Sequence, residues 1–318
     1  MTPRRQSRNT KTGFFSPVPA SVWPMAAAVL AAVVGVTAGC ARSEVPEPPL
    51  PHERLQTPTG SRPAPPGQST PSTTSSSPSA SSAPGTAPRL RGRSYPWHTG
   101  IIATTFWVGE VFDPGRSDGS QRISTYDEQW LAHYGGCDGV VTAGRCDTEC
   151  RTATNGYFPT RMTPRQNPFY LDLPYDDVND PVGFARRGST VPWAQDPGYA
   201  GRAADRSVSF MKGRWVRLRR GDRVCYGQIE DAGPGQYHDI GYVFGSDDRR
   251  PANREFNNAG LDVSPALNGC LDFSELNGEN DRVDWQFVDD VDVPAGPWLI
   301  LPNPPTKVEP FATPGQRP

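Results

Sequence analysis

Two short runs inside residues 221–271 constrain this chain most. Each carries strand-like alternation to an aspartate and then turns: Ile229-Glu230-Asp231-Ala232-Gly233-Pro234 and Gly260-Leu261-Asp262-Val263-Ser264-Pro265-Ala266-Leu267. Gly-Pro and Ser-Pro are turn chemistry that extended backbone does not run through. A chain that stops its strands this way folds as short strands joined by loops. It also sets two carboxyl groups 31 residues apart at strand exits, a pairing that glycosidic chemistry uses.

The surrounding pattern agrees. Short alternating runs recur at residues 101–111, 215–218, 223–229, 283–288 and 298–301. Arg219-Arg220-Gly221-Asp222 joins two of them as a hairpin. Val283, Trp285 and Phe287 alternate with Asp284, Gln286 and Val288, which predicts a strand with one buried face. Ser264 followed by Pro265 predicts one short helix over 264–270. Long helical periodicity is scarce and no internal repeat is found. The expected fold class is mainly β: a small barrel with long irregular loops and a few short helices.

The chain has 318 residues, but its first third is not globular in composition. Residues 1–14 hold Arg4, Arg5, Arg8 and Lys11 without an acid, and an Ala/Val-rich run then ends at Cys40. That order reads as an export signal, residues 1–39, and the apolar run is short for a membrane span. Val36-Thr37-Ala38-Gly39-Cys40 resembles a lipobox, with Thr37 where a large apolar residue is usual. Cys40 is therefore the expected lipidation site, with plain cleavage and an uncleaved anchor as alternatives. Each places the rest outside the cytoplasm, lipid-anchored at the membrane or wall-associated. Residues 40–92 are rich in Pro, Ser and Thr, and 41–91 hold no aromatic residue. Such a segment buries too little to offset chain entropy and is expected to be a disordered tether.

A domain over residues 93–302 is long enough for one core, and residues 303–318 read as a disordered tail. Of the 32 Lys and Arg, ten lie in residues 1–94, with three of the 34 Asp and Glu. Residues 95–318 are left with 22 bases and 31 acids, a net charge of −9. Nucleic-acid affinity rests on basic contacts, so no nucleic-acid partner is expected, and membrane contact only through the anchor. Neutral or zwitterionic carbohydrate fits better.

Five cysteines follow Cys40. Cys225–Cys270 is the expected disulfide flanking the aspartate runs, and Cys137 would pair with Cys146 or Cys150, leaving one thiol over. His133, Cys137, Cys146 and Cys150 have spacing that zinc could use, but no catalytic metal motif such as H-E-x-x-H is present, so no metal or cofactor is expected. The acidic clusters at 172–180 and 289–292 could offer oxygen to calcium, without EF-hand spacing.

Taken with their order, the two aspartate runs are similar to those of rare lipoprotein A, the expansins and the barwin-like proteins. Ala103-Thr104-Thr105-Phe106-Trp107-Val108-Gly109 resembles that superfamily's first strand, and Thr152-Ala153-Thr154-Asn155-Gly156 its Thr-Ala-Asn-Gly turn. The likeness covers core elements of residues 101–275, with nothing comparable at 113–150 or 176–212. Ala232 stands where the family often has Arg, Gly260 where expansins often have His, and Val108 where related endoglucanases have Asp. The resemblance implies a six-stranded double-psi β-barrel acting on or binding cell-wall glycan, peptidoglycan above all. A related barrel in membrane-bound transglycosylases carries an aspartate in a context comparable to that of Asp239.

Glycosidic cleavage needs a proton donor whose pKa is raised by burial or by a second carboxylate. Asp262 is the candidate acid/base, Asp231 its partner, and Asp239 a third candidate. Each has a plain alternative as a turn or helix cap. Trp107, Tyr237, Tyr157 and Tyr170 are candidate sugar-binding faces. No Ser-His-Asp arrangement or G-x-S-x-G elbow supports a serine nucleophile. Three readings follow: a lytic transglycosylase or glycoside hydrolase, a non-catalytic expansin-like wall module, or an envelope protein that docks another protein.

Overall fold

The computed structural model describes residues 92–115, 119–276 and 280–304. The signal-like segment, Cys40, all but the end of the Pro/Ser/Thr-rich stretch and residues 305–318 lie outside the described residues. In chain order the strands are β1 (His98–Thr105), β2 (Val140–Thr142), β3 (Arg145–Asp147), β4 (Tyr170–Leu173), β5 (Trp215–Arg220), β6 (Arg223–Ala232), β7 (Leu261–Val263) and β8 (Arg282–Val288). The α-helices are α1 (Trp130–Tyr134), α2 (Pro181–Thr190), α3 (Ile240–Val243) and α4 (Pro265–Leu271).

Six strands close a barrel in the order β1-β7-β4-β6-β5-β8, and β8 pairs back onto β1. Two neighbour pairs, β1–β7 and β4–β6, are parallel, and the other four are antiparallel. Strands β2 and β3 form a separate hairpin. Closure leaves no open sheet edge on the barrel.

The local chemistry explains most elements. Gly221, at φ +56°, makes the tight β5–β6 turn. Ser264 caps α4 by accepting a hydrogen bond from Leu267 N at 3.3 Å, with Pro265 at the first helical position. Helix α4 lies on β6 at Gly227, where an added Cβ would sit 2.8 Å from Leu267. The Cys225–Cys270 disulfide ties the same two elements together. In β8, Val283, Trp285 and Phe287 are buried in the core and Asp284 pairs with Arg219 on β5, but Gln286 and Val288 are buried as well, so the expected single buried face holds only for the first half of the strand.

Two runs behave differently from the sequence pattern. Strand β1 stops at Thr105, because Trp107, Glu110 and the left-handed Gly109 form a turn. The run at 298–301 is not a strand: Pro297–Leu299 is a 3-10 turn that seats Trp298 over Tyr226 and Phe169.

The long connections between strands carry polar centres of their own. In residues 176–212, buried Asp177 accepts from Ser209 Oγ, Phe210 N and Arg187 Nη1, and Arg187 also donates to five backbone carbonyls. Outside the barrel, Phe106, Val108, Trp130, Tyr134 and Tyr170 form a second apolar cluster. Cys137 pairs with Cys146, and Cys150 is also disulfide-bonded, so the expected leftover thiol is not found. With those sulfurs consumed and His133 Nδ1 turned to Asp127, the zinc grouping does not form. The acidic clusters are likewise spent locally. Asp176 and Asp180 accept from backbone amides, and Asp289 takes donors from Arg93, Tyr95 and Arg214.

Candidate functional site: a carboxyl cluster at the strand ends

Strand β4 lies between β6 and β7, so the ends of three strands bring three carboxyl groups together. Asp172 on β4 pairs in register with Asp231 on β6, and Asp262 N on β7 donates to Asp172 Oδ1 at 2.7 Å. The register is made by a bulge. Leu171 pairs with Ile229, whereas Asp172 pairs with Asp231, so β6 has one extra residue, Glu230, at that point. A bulge re-aims the side chains on either side of it. Here it sets Asp231 opposite Asp172 and leaves Glu230 out of the pairing.

Each carboxyl has a distinct set of partners. Asp262 is half-buried and accepts from Thr104 Oγ1 on β1. The carboxyl of Asp172 is its neighbour, held against the same residue through Asp262 N. Asp231 accepts from Thr125 N at 2.7 Å and from its neighbour Ala232 N at 2.8 Å. Gly233 closes over the group: a Cβ there would lie 2.6 Å from Asp172 Oδ2. The Asp-Ala-Gly-Pro run therefore needs glycine for close approach to a second carboxyl, as well as for a turn.

Burial and like charge both act on these acids. Burial pushes Asp172 well above the usual carboxylate range, and the charges of Asp262 and Asp231 push it further. Burial raises Asp262 to about 6, against the hydrogen bonds from Thr104 and Asp172 that favour its ion. Asp231 also rises to about 6 by burial, against the amides of Thr125 and Ala232. A fourth acid, Glu110, is raised to about 8 by burial, then lowered by the Trp107 amide and raised by Asp262. Of the two neighbours, Asp172 is thus the one that holds its proton longer, and Asp262 the one that releases it first. This is an acid–base pair in miniature.

The residues anticipated from sequence divide clearly. Asp262 and Asp231 lie at the cluster. Asp239 does not belong to it: it caps α3 through Tyr242 N and accepts from Ala252 N at 2.6 Å. Tyr170 is a core residue, 1% exposed, with its hydroxyl donating to Asp138 and accepting from Val108 N. Trp107 is buried, and its indole N–H donates to Cys146 O. Tyr157 is half-buried with its ring edge against Phe169. Tyr237, 39% exposed, is the one aromatic of the four that solvent reaches broadly.

Asp172 and Glu110 were missed as site residues. Asp172 stands in Tyr170-Leu171-Asp172-Leu173-Pro174, a strand ending in proline, which is the same signal that marks the other two aspartates. It was absorbed into the acidic run at 172–180. Glu110 follows Gly109 in the turn after β1, and nothing local distinguishes it from a solvated loop acid.

Comparison of the chain with protein families, with curated proteins and with solved structures finds no match.

Proposed function

We propose that this is an exported cell-envelope protein whose barrel has the double-psi topology and cleaves cell-wall glycan, peptidoglycan above all, by acid–base catalysis at Asp262. The neighbouring carboxyls of Asp172 and Asp262, brought together at the strand ends, carry this reading. A half-buried carboxyl with a raised pKa can meet a glycosidic oxygen and give it a proton. Asp172, 3% exposed, stands behind it as a positioning residue that restores the proton. Asp231 contributes negative charge beside the developing oxocarbenium centre.

The spacing favours one mechanism over another. Two-carboxylate hydrolases need their carboxyls about 5–9.5 Å apart, to admit a nucleophile or a water. Carboxyls packed side by side act as a single acid–base unit instead. That suits lytic transglycosylation, in which a hydroxyl of the sugar itself attacks and one acid serves both steps. The disulfides Cys137–Cys146 and Cys225–Cys270 support export, since such bonds persist in oxidising compartments. An export signal over 1–39 and a tether over 40–92 belong to the same proposal, on the sequence pattern.

A second reading is favoured by one observation. Asp172 and Asp231 are nearly closed off, at 3% and 6% exposure, and among the four aromatic candidates only Tyr237 offers an open face. A binding module of the expansin kind would need no more. Incubating purified peptidoglycan with wild type, Asp262→Asn and Asp172→Asn separates the two readings. Anhydro-sugar fragments by mass spectrometry are expected from wild type, with about 100-fold or greater loss in Asp262→Asn. Asp172→Asn keeps a polar neighbour beside Asp262 without the acidic proton, so its activity profile should move to lower pH. Glycan pull-down without fragments from wild type would discard catalysis and keep the binding module.

A further inference from the structure

The bulge that aligns the carboxyl cluster also sends Glu230 into a different place. Glu230 lines a cavity of about 220 Å³ together with Asp127, His133, Gln166, Lys212 and Asn303. These residues come from the segment before α1, α1 itself, the approaches to β4 and β5, the β6 bulge and the end of the described chain. Asp127, Lys212, Glu230 and Asn303 are each more than nine-tenths buried. The walls are fixed. Asn303 N donates to Gln228 Oε1, and Asn303 Oδ1 accepts from Asn167 N, each at 2.8 Å. Asp127 holds His133 Nδ1 at 2.8 Å and takes Gln129 N as well.

Three buried atoms at this cavity have no hydrogen-bond partner: the acceptors Glu230 Oε1 and Gln166 Oε1, and the donor Asn303 Nδ2. A buried unmatched polar atom is costly, and a ligand of the right chemistry recovers that cost. The lining places carboxylates and amide oxygen beside an ammonium and an amide donor. It has no aromatic face, so it is not built to stack a sugar ring. We propose that this cavity binds a small zwitterion of the α-amino acid class, its ammonium on Glu230 and Gln166 and its carboxylate on Lys212 and Asn303.

Burial raises Glu230 to about 7, against the Lys212 charge and the nearby Asn303 side chain that favour its ion, while Asp127 and Asp231 raise it further. An incoming ammonium would displace that proton. The site is separate from the carboxyl cluster but adjoins it: Thr125 N holds Asp231, and Asp127 two residues later lines the cavity.

Isothermal titration of the purified chain tests this with glycine, L-alanine and D-alanine against N-acetylalanine, alanine methyl ester and N-acetylglucosamine. One saturable site is expected for a free amino acid. Each half-ligand should bind about tenfold or more weakly, as should Glu230→Gln and Lys212→Gln, while Asp262→Asn should bind as wild type. Folding of each variant is checked by its thermal melt, and the ligand series on wild type stands without them. Equal binding of N-acetylglucosamine would make the cavity a polyol site and overturn the proposal. So would equal binding by a folded Glu230→Gln protein, or no saturable binding of any amino acid.

Discussion

Two buried acidic centres in this molecule are built in opposite ways. Asp138, outside the barrel, is fully buried and has its charge matched. Arg151 Nη2 donates to it at 2.8 Å and the Tyr170 hydroxyl at 2.7 Å. Burial pulls Arg151 down, but Asp138 more than offsets this and holds the guanidinium above its ordinary value. At the strand ends, Asp172, Asp231 and Asp262 are brought together, and among the described residues no cation pairs with them; they meet backbone amides, a threonine hydroxyl and one another. A scaffold that buries an acid supplies a counterion, because an unmatched buried charge is expensive. A site that buries acids against acids keeps a proton instead, and that proton is available for chemistry.

The comparison breaks most visibly at Arg151. Arg151→Met strands the Asp138 carboxylate and should cost about 3–5 kcal/mol in urea unfolding. Asp172→Asn, in the other centre, removes a group whose neutral form burial already favours and should cost far less in the same measurement. Equal losses would mean that the two centres are alike.

A smaller effect is expected from pH. An acid whose folded pKa is raised binds its proton more tightly when folded, so its contribution is complete below the unfolded pKa and is lost as pH rises through the folded one. For Asp231 and Asp262 that window is about pH 4–6; for Glu110 it reaches about 8, and Asp172 is displaced further still. His98 acts in the other sense. It is buried against Trp285 with neither ring nitrogen hydrogen-bonded, and burial lowers it to about 4. Its contribution is complete above about 6.5 and is lost as pH falls toward 4. Between pH 6.5 and 8, then, His98 is silent and wild type should lose stability with rising pH. The slope is up to about 1.4 kcal/mol per pH unit for each acid still protonated. Denaturant titrations across that range should show a flatter slope for Asp172→Asn.

The smallest expected effect belongs to Asp239. Asp239→Ala removes the cap of α3 and the bond to Ala252 N, for a loss of about 1 kcal/mol in thermal or urea unfolding. Glycan release should be unchanged. A loss of activity without a loss of stability would move Asp239 into the site.

Local signals made much of this legible. Ser264-Pro265 marks a helix start wherever it falls, Gly221 marks its hairpin, and the alternation of Val283, Trp285 and Phe287 marks a strand because side chains along a strand face opposite ways. Asp231 and Asp262 were visible for the same reason: each ends a strand in residues that turn. Asp172 was passed over because its partners lie 59 and 90 residues further along the chain, and only the strand order makes them neighbours. The four aromatic candidates show the same limit. A sequence names an aromatic ring, but whether Tyr170 is core and Tyr237 is exposed depends on what packs over it.

The sequence by itself determined that residues 93–302 build short strands and turns, with two aspartates at strand exits and cysteines suited to disulfides. Those follow from backbone preference and composition, which act over a few residues. Tertiary structure alone decided that Asp172 joins Asp262, that Cys137 takes Cys146, that Asp239 is a cap, and that Glu230 leaves the pairing to line a cavity. Each of these depends on register and barrel closure. They are settled by the burial of the whole core and not by any run of residues within it.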